Sequence, residues 1–471
     1  MKSVNNIWLP YITLKEPFLS FHIDQSYKAT NKLEGLFRWG PFDISIPANP
    51  LKPVSPIKIG IILPRKIKAL VEGYINKLNE SMKIGDDYLR PYKGFREIYG
   101  VNIDITSKMY IESKEIFNCT NEKDVLNLFL QKIRQIKNES TFDVLLIIIP
   151  EEFESYLEIR KENYYFHLHD KIKLFSASNN IRTQIIRQIR IHNFQNRKQL
   201  IRSIWWLSGA IYVKAGGVLY RLAEFDERVL YIGLSYAITQ FTTSQKILIG
   251  VAQLFDEQGN NIRIDLFPTS EFTIISKNPF LTERSSRSIF QKILEIYKSV
   301  KMRSPSKVII YKTTPFNKEE IKGIKQAFSA IDRFELLWIQ RNSFYRGIRL
   351  VDNRRPHSHP LLRGTVIKLD NRSFLIWTSG SIEIDLGRYK RNYYQEGRHI
   401  PKPLIVKRFY GQDTIEEVAF EIMKLTKMNW NNLQYYNKLP VTIDFASRIA
   451  KIAKQAEHIP NILPKDFRYY I

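Results

Sequence analysis

Two unbroken aliphatic stretches, IKIGIIL at 57–63 and FDVLLIIIP at 142–150, set the tightest limit on how this chain can fold. Neither alternates polar with apolar residues, so both faces of each strand must be covered, as in a parallel sheet. Amphipathic patterns lie between them: an expected helix over 67–82, a strand over 101–105 and a helix over 122–137. Strands alternating with helices predict a Rossmann-like α/β unit. No G-x-G-x-x-G follows any of these strands, so the dinucleotide fingerprint is missing.

The pattern changes near residue 221. Three successive strand signals, 228–238, 245–256 and 261–267, are joined by short polar turns. A helix over 287–300, a strand over 307–313 and a helix over 317–331 follow. That order opens a ribonuclease H-like fold. Strands are expected at 334–340, 364–369, 373–380 and 403–409, and helices over 413–428 and 446–459. Residues 1–55 hold no sustained period and read as a lead-in that packs on the next domain. With 471 residues the chain exceeds what one core usually organises, so the expected plan is a lead-in at 1–55 and domains at 56–220 and 221–471.

Charge narrows the function classes. Lys and Arg number 72 against 47 Asp and Glu, a formal +25, which points to a polyanion: nucleic acid first, an acidic membrane surface second. The stretch 181–203 reads as a basic helical region in which Arg182, Arg187, Arg190, Arg197, Lys198 and Arg202 are compatible with a phosphate-tracking face, or with a merely solvated one. Two further stretches, 341–363 and 388–408, interleave Arg and Lys with Tyr, Phe and His, a mix suited to a channel that follows a nucleic-acid backbone. His357 and His359 have no further metal ligand near them in sequence and read as loop residues. Cys119, the single cysteine, can form no internal disulfide and reads as a buried structural thiol. The N-terminus has no signal-peptide core, and no apolar run reaches the roughly 18–20 residues of a membrane span. A soluble, cytoplasmic protein is expected.

Several phrases occur in a telling order: GLFRWGPFD (35–43), KAGG (214–217), YIGLSY (231–236), IIYKTTPF (309–316), RGTVIKL (363–369), SFLIWTSG (373–380) and PVTIDFASRIA (440–450). Together they resemble the MID and PIWI domains of Argonaute proteins, in particular the short prokaryotic Argonautes that lack N-terminal and PAZ domains. The resemblance implies a Rossmann-like MID domain followed by a ribonuclease H-like PIWI domain. It also implies a pocket for the 5′ phosphate of a guide strand, with His169, Lys173, Gln184 and Lys214 in the family's order and nearly its spacing. Two ammonium groups and an amide suit a terminal phosphate, and an imidazole can stack on the first base. A helix N-terminus near Arg182 and Thr183 is expected to add backbone donors. Relatives hold a magnesium ion there with the C-terminal carboxylate, which assigns Ile471 and Gln184 to Mg2+; a frayed terminus is the competing reading.

Slicing Argonautes carry a carboxylate-rich tetrad that holds two metal ions. At the matching positions this sequence has Ser235, Thr313 and Ser447, whose neutral hydroxyls cannot supply that charge. Asp226, Asp256, Glu257 and Asp444 lie near these positions in sequence, and none replaces the first-strand Asp. The expectation is therefore a catalytically inactive guide-binding subunit: a guide RNA recognises complementary single-stranded DNA and triggers a separate APAZ-containing effector, a TIR or sirtuin-like NADase, in a cell-suicide defence against invaders. The alternatives are an active guide-dependent nuclease and a generic basic single-strand-binding protein.

Overall fold

In the computed structural model, which describes residues 10–46, 52–85, 88–162, 164–192, 196–240, 246–276, 278–351, 355–385, 390–397, 399–455 and 464–471, the two aliphatic runs lie side by side. Strands β1 (Ile57–Pro64), β2 (Ile103–Ile111), β3 (Val144–Ile149) and β4 (Thr183–Arg187) form a sheet in the order β2-β1-β3-β4, parallel throughout. Every residue of β3 is buried, whereas β2, at the sheet edge, alternates half-buried with exposed positions. Unbroken and alternating patterns thus mark central and edge strands of one sheet.

Helix α1 (Lys68–Asn76) is shorter than its apolar spacing predicts. The Leu78 carbonyl accepts from Phe95 N at 2.7 Å and from the Tyr92 hydroxyl at 2.9 Å, so it is not left to continue a helical ladder. Helix α2 (Glu122–Glu139) starts where Asn121 accepts from Lys123 N and Asp124 N. Its Val125, Phe129, Ile133 and Ile136 pack with Ile62, Leu145 and Ile147 in one core. Helices α3 (Leu168–Ser178) and α4 (Arg197–Lys214) flank β4 in sequence.

The basic region at 181–203 is not one helix. Thr183–Arg187 is strand β4, where Thr183, Ile185 and Ile186 pair with Leu145, Ile147 and Ile148. β-branched residues beside a completed strand outweigh the helical look of the arginine spacing. The helix N-terminus expected at Arg182 and Thr183 is therefore absent.

The second sheet has nine strands. Strands β5 (Val229–Gln240), β6 (Lys246–Phe255) and β7 (Asn261–Thr269) form an antiparallel meander. Helix α5 (Glu283–Lys301) leads to β8 (Lys307–Lys312), parallel to β5, and α6 (Lys318–Ala327) leads to β9 (Arg333–Gln340), parallel to β8. Strands β10 (Thr365–Lys368), β11 (Ser373–Ile376) and β12 (Leu404–Tyr410) extend the sheet beyond β9, with the short strand Tyr11–Thr13 at its edge. Helices α7 (Ile415–Leu425) and α8 (Val441–Lys454) follow. The mixed α/β class holds in both halves, one Rossmann-like and one ribonuclease H-like.

Two compact units divide the chain: Leu19–Ala223 with Trp430–Leu433 and Arg448–Ile471, and Met1–Phe18 with Glu224–Asn429 and Gln434–Ser447. The expected 221–471 span thus gives up 430–433 and 448–471 to the first unit, and the 1–55 lead-in is shared between both. Aromatic packing explains the return: in the first unit Trp430 lies 6.3 Å from Tyr220 and 5.9 Å from Phe467, ring centre to ring centre. Cys119 is half-buried, its thiol donating to the Glu115 carbonyl. Among the described residues, no helix is long and apolar enough to cross a membrane.

Candidate functional site

Three elements of the first unit converge on one spot. Helix α3 carries His169 and Lys173, β4 carries Gln184, and α4 ends on Lys214. The turn after α4 needs glycine: Gly216 has φ 119°, and a Cβ on Gly217 would lie 2.2 Å from the Tyr212 ring. A short 3-10 turn, Phe467–Tyr469, brings the last residues in, and Ile471 is buried.

Lys173 is 1% exposed. Its Nζ donates to the Thr183 carbonyl at 2.6 Å and to the main-chain oxygen of Ile471. Lys214 is fully buried, and its Nζ donates to Asn431 Oδ1 at 3.3 Å. The acceptors of both ammonium groups among the described residues are main-chain or amide oxygens, not Asp or Glu side chains. Burial, with the charge of Lys214 second, holds Lys173 well below the usual lysine range. Burial alone pushes Lys214 down to about 7.

The tail is fastened by charge as well as packing. Arg182 donates to the Lys214 carbonyl at 3.0 Å, stands over the Tyr469 ring at 5.1 Å and faces Asp466 at 3.7 Å. Arg468 joins Asp466 at 3.1 Å and the Gly216 carbonyl at 3.1 Å. Gln184 is half-buried, and its amide donates to the Ile185 carbonyl at 3.2 Å.

His169 sits nearer the surface, its side chain 43% exposed and its Nδ1 3.2 Å from Asp170. The second carboxylate oxygen of Asp170 meets His167 Nδ1 at 2.9 Å. Burial opposes ionisation of Asp170, but the two imidazoles hold it well below the usual carboxylate range. Desolvation, with Lys173 adding repulsion, lowers His169, whereas the Asp170 carboxylate, accepting from the imidazole, raises His167. His167 also stacks on Tyr165, with planes 6° apart. Ligand atoms of His167, His169 and Asp170 lie within 4.8 Å of one another, a grouping of residues with metal-ligand chemistry apart from the Ile471 and Gln184 pair. Asn431 and the His167–Asp170 contact escaped the sequence reading, since Asn431 lies 217 residues from Lys214.

The cationic series at 182–202 does not form one face. Arg182 turns to the tail and Arg187 pairs with Glu154, while Arg190, Arg197, Lys198 and Arg202 are exposed. Within the two basic stretches, 352–354, 388–389 and 398 lie outside the described residues; Phe344 and Tyr345 are exposed. His357 and His359, with ring centres 5.6 Å apart, line a cavity of about 410 Å³ with Arg349, Tyr394 and His399.

In the second unit, Leu234 of β5 pairs with Lys312 of β8, and Lys312 with Trp338 of β9. Ser235 and Thr313 therefore stand one step further, at the same level of the sheet. Trp338 Nε1 donates to the Thr313 carbonyl at 3.1 Å. A Cβ on Gly233 would lie 2.2 Å from the Thr442 backbone, so α8 rests directly on β5. Ser447 of α8 accepts a 2.8 Å hydrogen bond from Arg341. Of the nearby acids, Asp256 pairs with Lys301 at 2.7 Å, Glu257 with Arg303 at 3.0 Å, and Asp226 faces Lys307 at 3.9 Å.

No family model matches this chain. In sequence it is 22% identical over 350 residues to "Protein argonaute" of Aquifex aeolicus (strain VF5), covering 73% of this chain and 43% of that protein. In structure it is similar to Clostridium butyricum Argonaute bound to a guide DNA and a 19-mer target DNA, with TM-score 0.67 and 18% identity over 98% of this chain and 55% of that one. It is also similar to Aa-Ago with externally bound siRNA, with TM-score 0.63 and 18% identity over 99% and 56%. The chain spans about half the length of the relatives it matches. Sequence and fold agree that this chain is a homologue of the Argonaute proteins, with a Rossmann-like MID unit and a ribonuclease H-like PIWI unit.

Proposed function

We propose that this chain binds a 5′-phosphorylated guide strand, RNA in our reading, and uses it to recognise complementary single-stranded DNA without cutting it. The observation that carries this is the pair Lys173 and Lys214: two buried cations, of which Lys214 leans on the neutral Asn431 amide and Lys173 on the Thr183 carbonyl and the terminal oxygen of Ile471. Two buried cations against the single Ile471 carboxylate leave a positive excess, and an entering phosphate would supply the missing negative charge. Arg182 and Arg468 hold the tail against Lys214 and Gly216, so they position the pocket. In this reading His169, whose side chain is 43% exposed, takes the face of the first base.

In this reading a magnesium ion would be held by Ile471 and Gln184. Ile471 and Gln184 offer hard oxygen atoms, which suit Mg2+ when phosphate oxygens complete its shell. When bound, the ion would add further positive charge against the guide phosphates. The lysines bind and orient the terminal phosphate without it.

Ser235, Thr313 and Ser447 provide hydroxyls where a two-metal nuclease needs carboxylates, and Arg341 beside Ser447 adds a cation instead. In this reading the chain signals rather than slices. Target pairing would activate an APAZ-containing partner, a TIR or sirtuin-like NADase, as part of an abortive defence.

The test compares a 5′-phosphorylated oligonucleotide with its 5′-hydroxyl twin. Each charge-assisted hydrogen bond contributes about 1.5–3 kcal/mol, so the phosphorylated strand should bind at least about tenfold tighter. Lys173→Ala with Lys214→Ala should erase the difference. Equal affinities in the unaltered chain would favour a generic basic module, and target cleavage with Mg2+ or Mn2+ would favour a nuclease.

A further inference from the structure

The turn that leads into α3 gathers metal-ligating side chains of which the pocket uses only His169. Tyr164–His167 pairs with Glu158–Lys161 in a hairpin, Glu158 opposite His167 and Arg160 opposite Tyr165. These four side chains therefore share one face. On it Arg160 lies 5.5 Å over the Tyr165 ring, the Tyr165 hydroxyl donates to Glu158 at 3.2 Å, and His167 stacks on Tyr165. Buried Phe166 and Leu168 pin the backbone on either side of His167. The His167 ring is thus held in place before any ligand arrives.

His167 stands at the N-cap of α3, where Ser, Thr, Asp or Asn usually bonds the first helical amides, and its side chain makes no such bond. It turns to Asp170 instead. The Asp170 oxygen 2.9 Å from His167 Nδ1 lies off the line of a well-aligned hydrogen bond, which leaves that buried nitrogen incompletely satisfied. The other oxygen stands 3.2 Å from His169 Nδ1. One ligand atom from each of the three residues falls within 4.8 Å of the other two. Ligand atoms on a tetrahedral ion with bonds of about 2.0–2.1 Å stand about 3.3 Å apart, so a small turn of the half-exposed His169 closes the set.

The donor set also selects the ion. Two imidazoles and one carboxylate suit Zn2+ and its first-row neighbours, whereas Mg2+ and Ca2+ take shells of oxygen. Nearby charge is mixed: Glu158 and Lys451 act on His167, and Lys173 acts on His169. Coordination bonds rather than a broad negative field must hold the ion, which again favours a metal that binds nitrogen.

We propose that His167, His169 and Asp170 bind one transition-metal ion of the Zn2+ class, distinct from the Mg2+ assigned to Ile471 and Gln184. Three protein ligands leave a fourth position open for water or another donor atom. A bond to a ring nitrogen lies in the imidazole plane, so the ion fixes the orientation of His169 and leaves the faces of its ring free. The inference needs only these three side chains and does not rest on guide binding.

The full chain is stripped of metal with a chelator and titrated with Zn2+ by calorimetry and with Co2+ by visible absorption, because tetrahedral Co2+ absorbs far more strongly than the hydrated ion. One ion per chain should bind, with the strong Co2+ spectrum, and excess Mg2+ should not displace it. His167→Gln and Asp170→Asn should each weaken Zn2+ binding at least about tenfold and abolish the tetrahedral spectrum. His167→Gln carries the test alone should Asp170→Asn fold poorly. His357→Gln with His359→Gln, in the other unit, should leave both readouts unchanged. Preference for a 5′ phosphate should persist in His167→Gln, which keeps failure of this site separate from failure of the pocket reading. A chain that binds no Zn2+, or binds it equally in folded His167→Gln and Asp170→Asn, would overturn the site.

Discussion

Buried lysines are balanced differently in the PIWI-like unit and at the pocket of the MID-like unit. In the PIWI-like unit Lys312 meets Glu320 at 2.8 Å, Lys307 meets Asp413 at 2.5 Å and Lys424 meets Glu421 at 2.8 Å, each pair almost wholly enclosed. At the pocket Lys173 and Lys214 are just as enclosed, yet no Asp or Glu among the described residues accepts from them: Lys214 leans on the Asn431 amide, and Lys173 on the Thr183 carbonyl and the terminal oxygen of Ile471. A paired lysine completes its own charge balance and belongs to the scaffold. A lysine with no acidic side chain of its own leaves room for an anion from outside, which is why similar burial signals structure at those pairs and binding at the pocket.

The sharpest way to break this comparison is to remove a paired lysine. Lys312→Met would strand Glu320, which is 1% exposed and, among the described residues, would keep Leu281 N, Asn317 N and the Tyr236 hydroxyl as donors. Loss of one partner from a buried pair costs about 3–5 kcal/mol. Urea denaturation should show that loss, and a change below about 1 kcal/mol would remove the distinction drawn between the units.

The matching change in the pocket should run the other way. Lys214→Met deletes a buried charge whose one acceptor among the described side chains is Asn431, so the free protein should gain stability, by about 1–4 kcal/mol if the site repacks. The same variant should lose its preference for a 5′ phosphate. A Lys214→Met protein that is both less stable and still phosphate-selective would place Lys214 among the structural lysines.

How much of this was legible depends on how local each feature is. The central strands were, because an unbroken aliphatic run carries its own burial signal. Lys173 and Lys214 were reached only through the resemblance, since a lysine eleven places before a glutamine means nothing by spacing alone. Thr183–Arg187 misled because its arginines imitate a helix face while its β-branched residues belong to the sheet. Asn431 beside Lys214, Arg341 beside Ser447 and the tail beside Lys173 were out of reach, since separations of 217, 106 and 298 residues leave no local trace.

The pocket should also respond to pH where a paired site would not, and here the signs for stability and binding oppose each other. Lys214 titrates at about 7 in the free fold, against roughly 10.4 in an unfolded chain. Between those values the unfolded chain holds the extra proton, so the contribution of Lys214 to stability rises with pH across that window. Binding runs in reverse. A terminal phosphate loses its second proton near about 6 and then favours the charged lysine, so binding above pH 7 must draw a proton from solvent. Affinity for the phosphorylated strand should therefore be greatest between about pH 6 and 7 and fall by up to tenfold per unit above that, about 1.4 kcal/mol. The 5′-hydroxyl twin and Lys214→Met should lack this decline. Titration calorimetry in two buffers of different ionisation heat would read the proton directly, and binding without proton uptake at pH 8 would show that Lys214 is already charged and balanced within the fold.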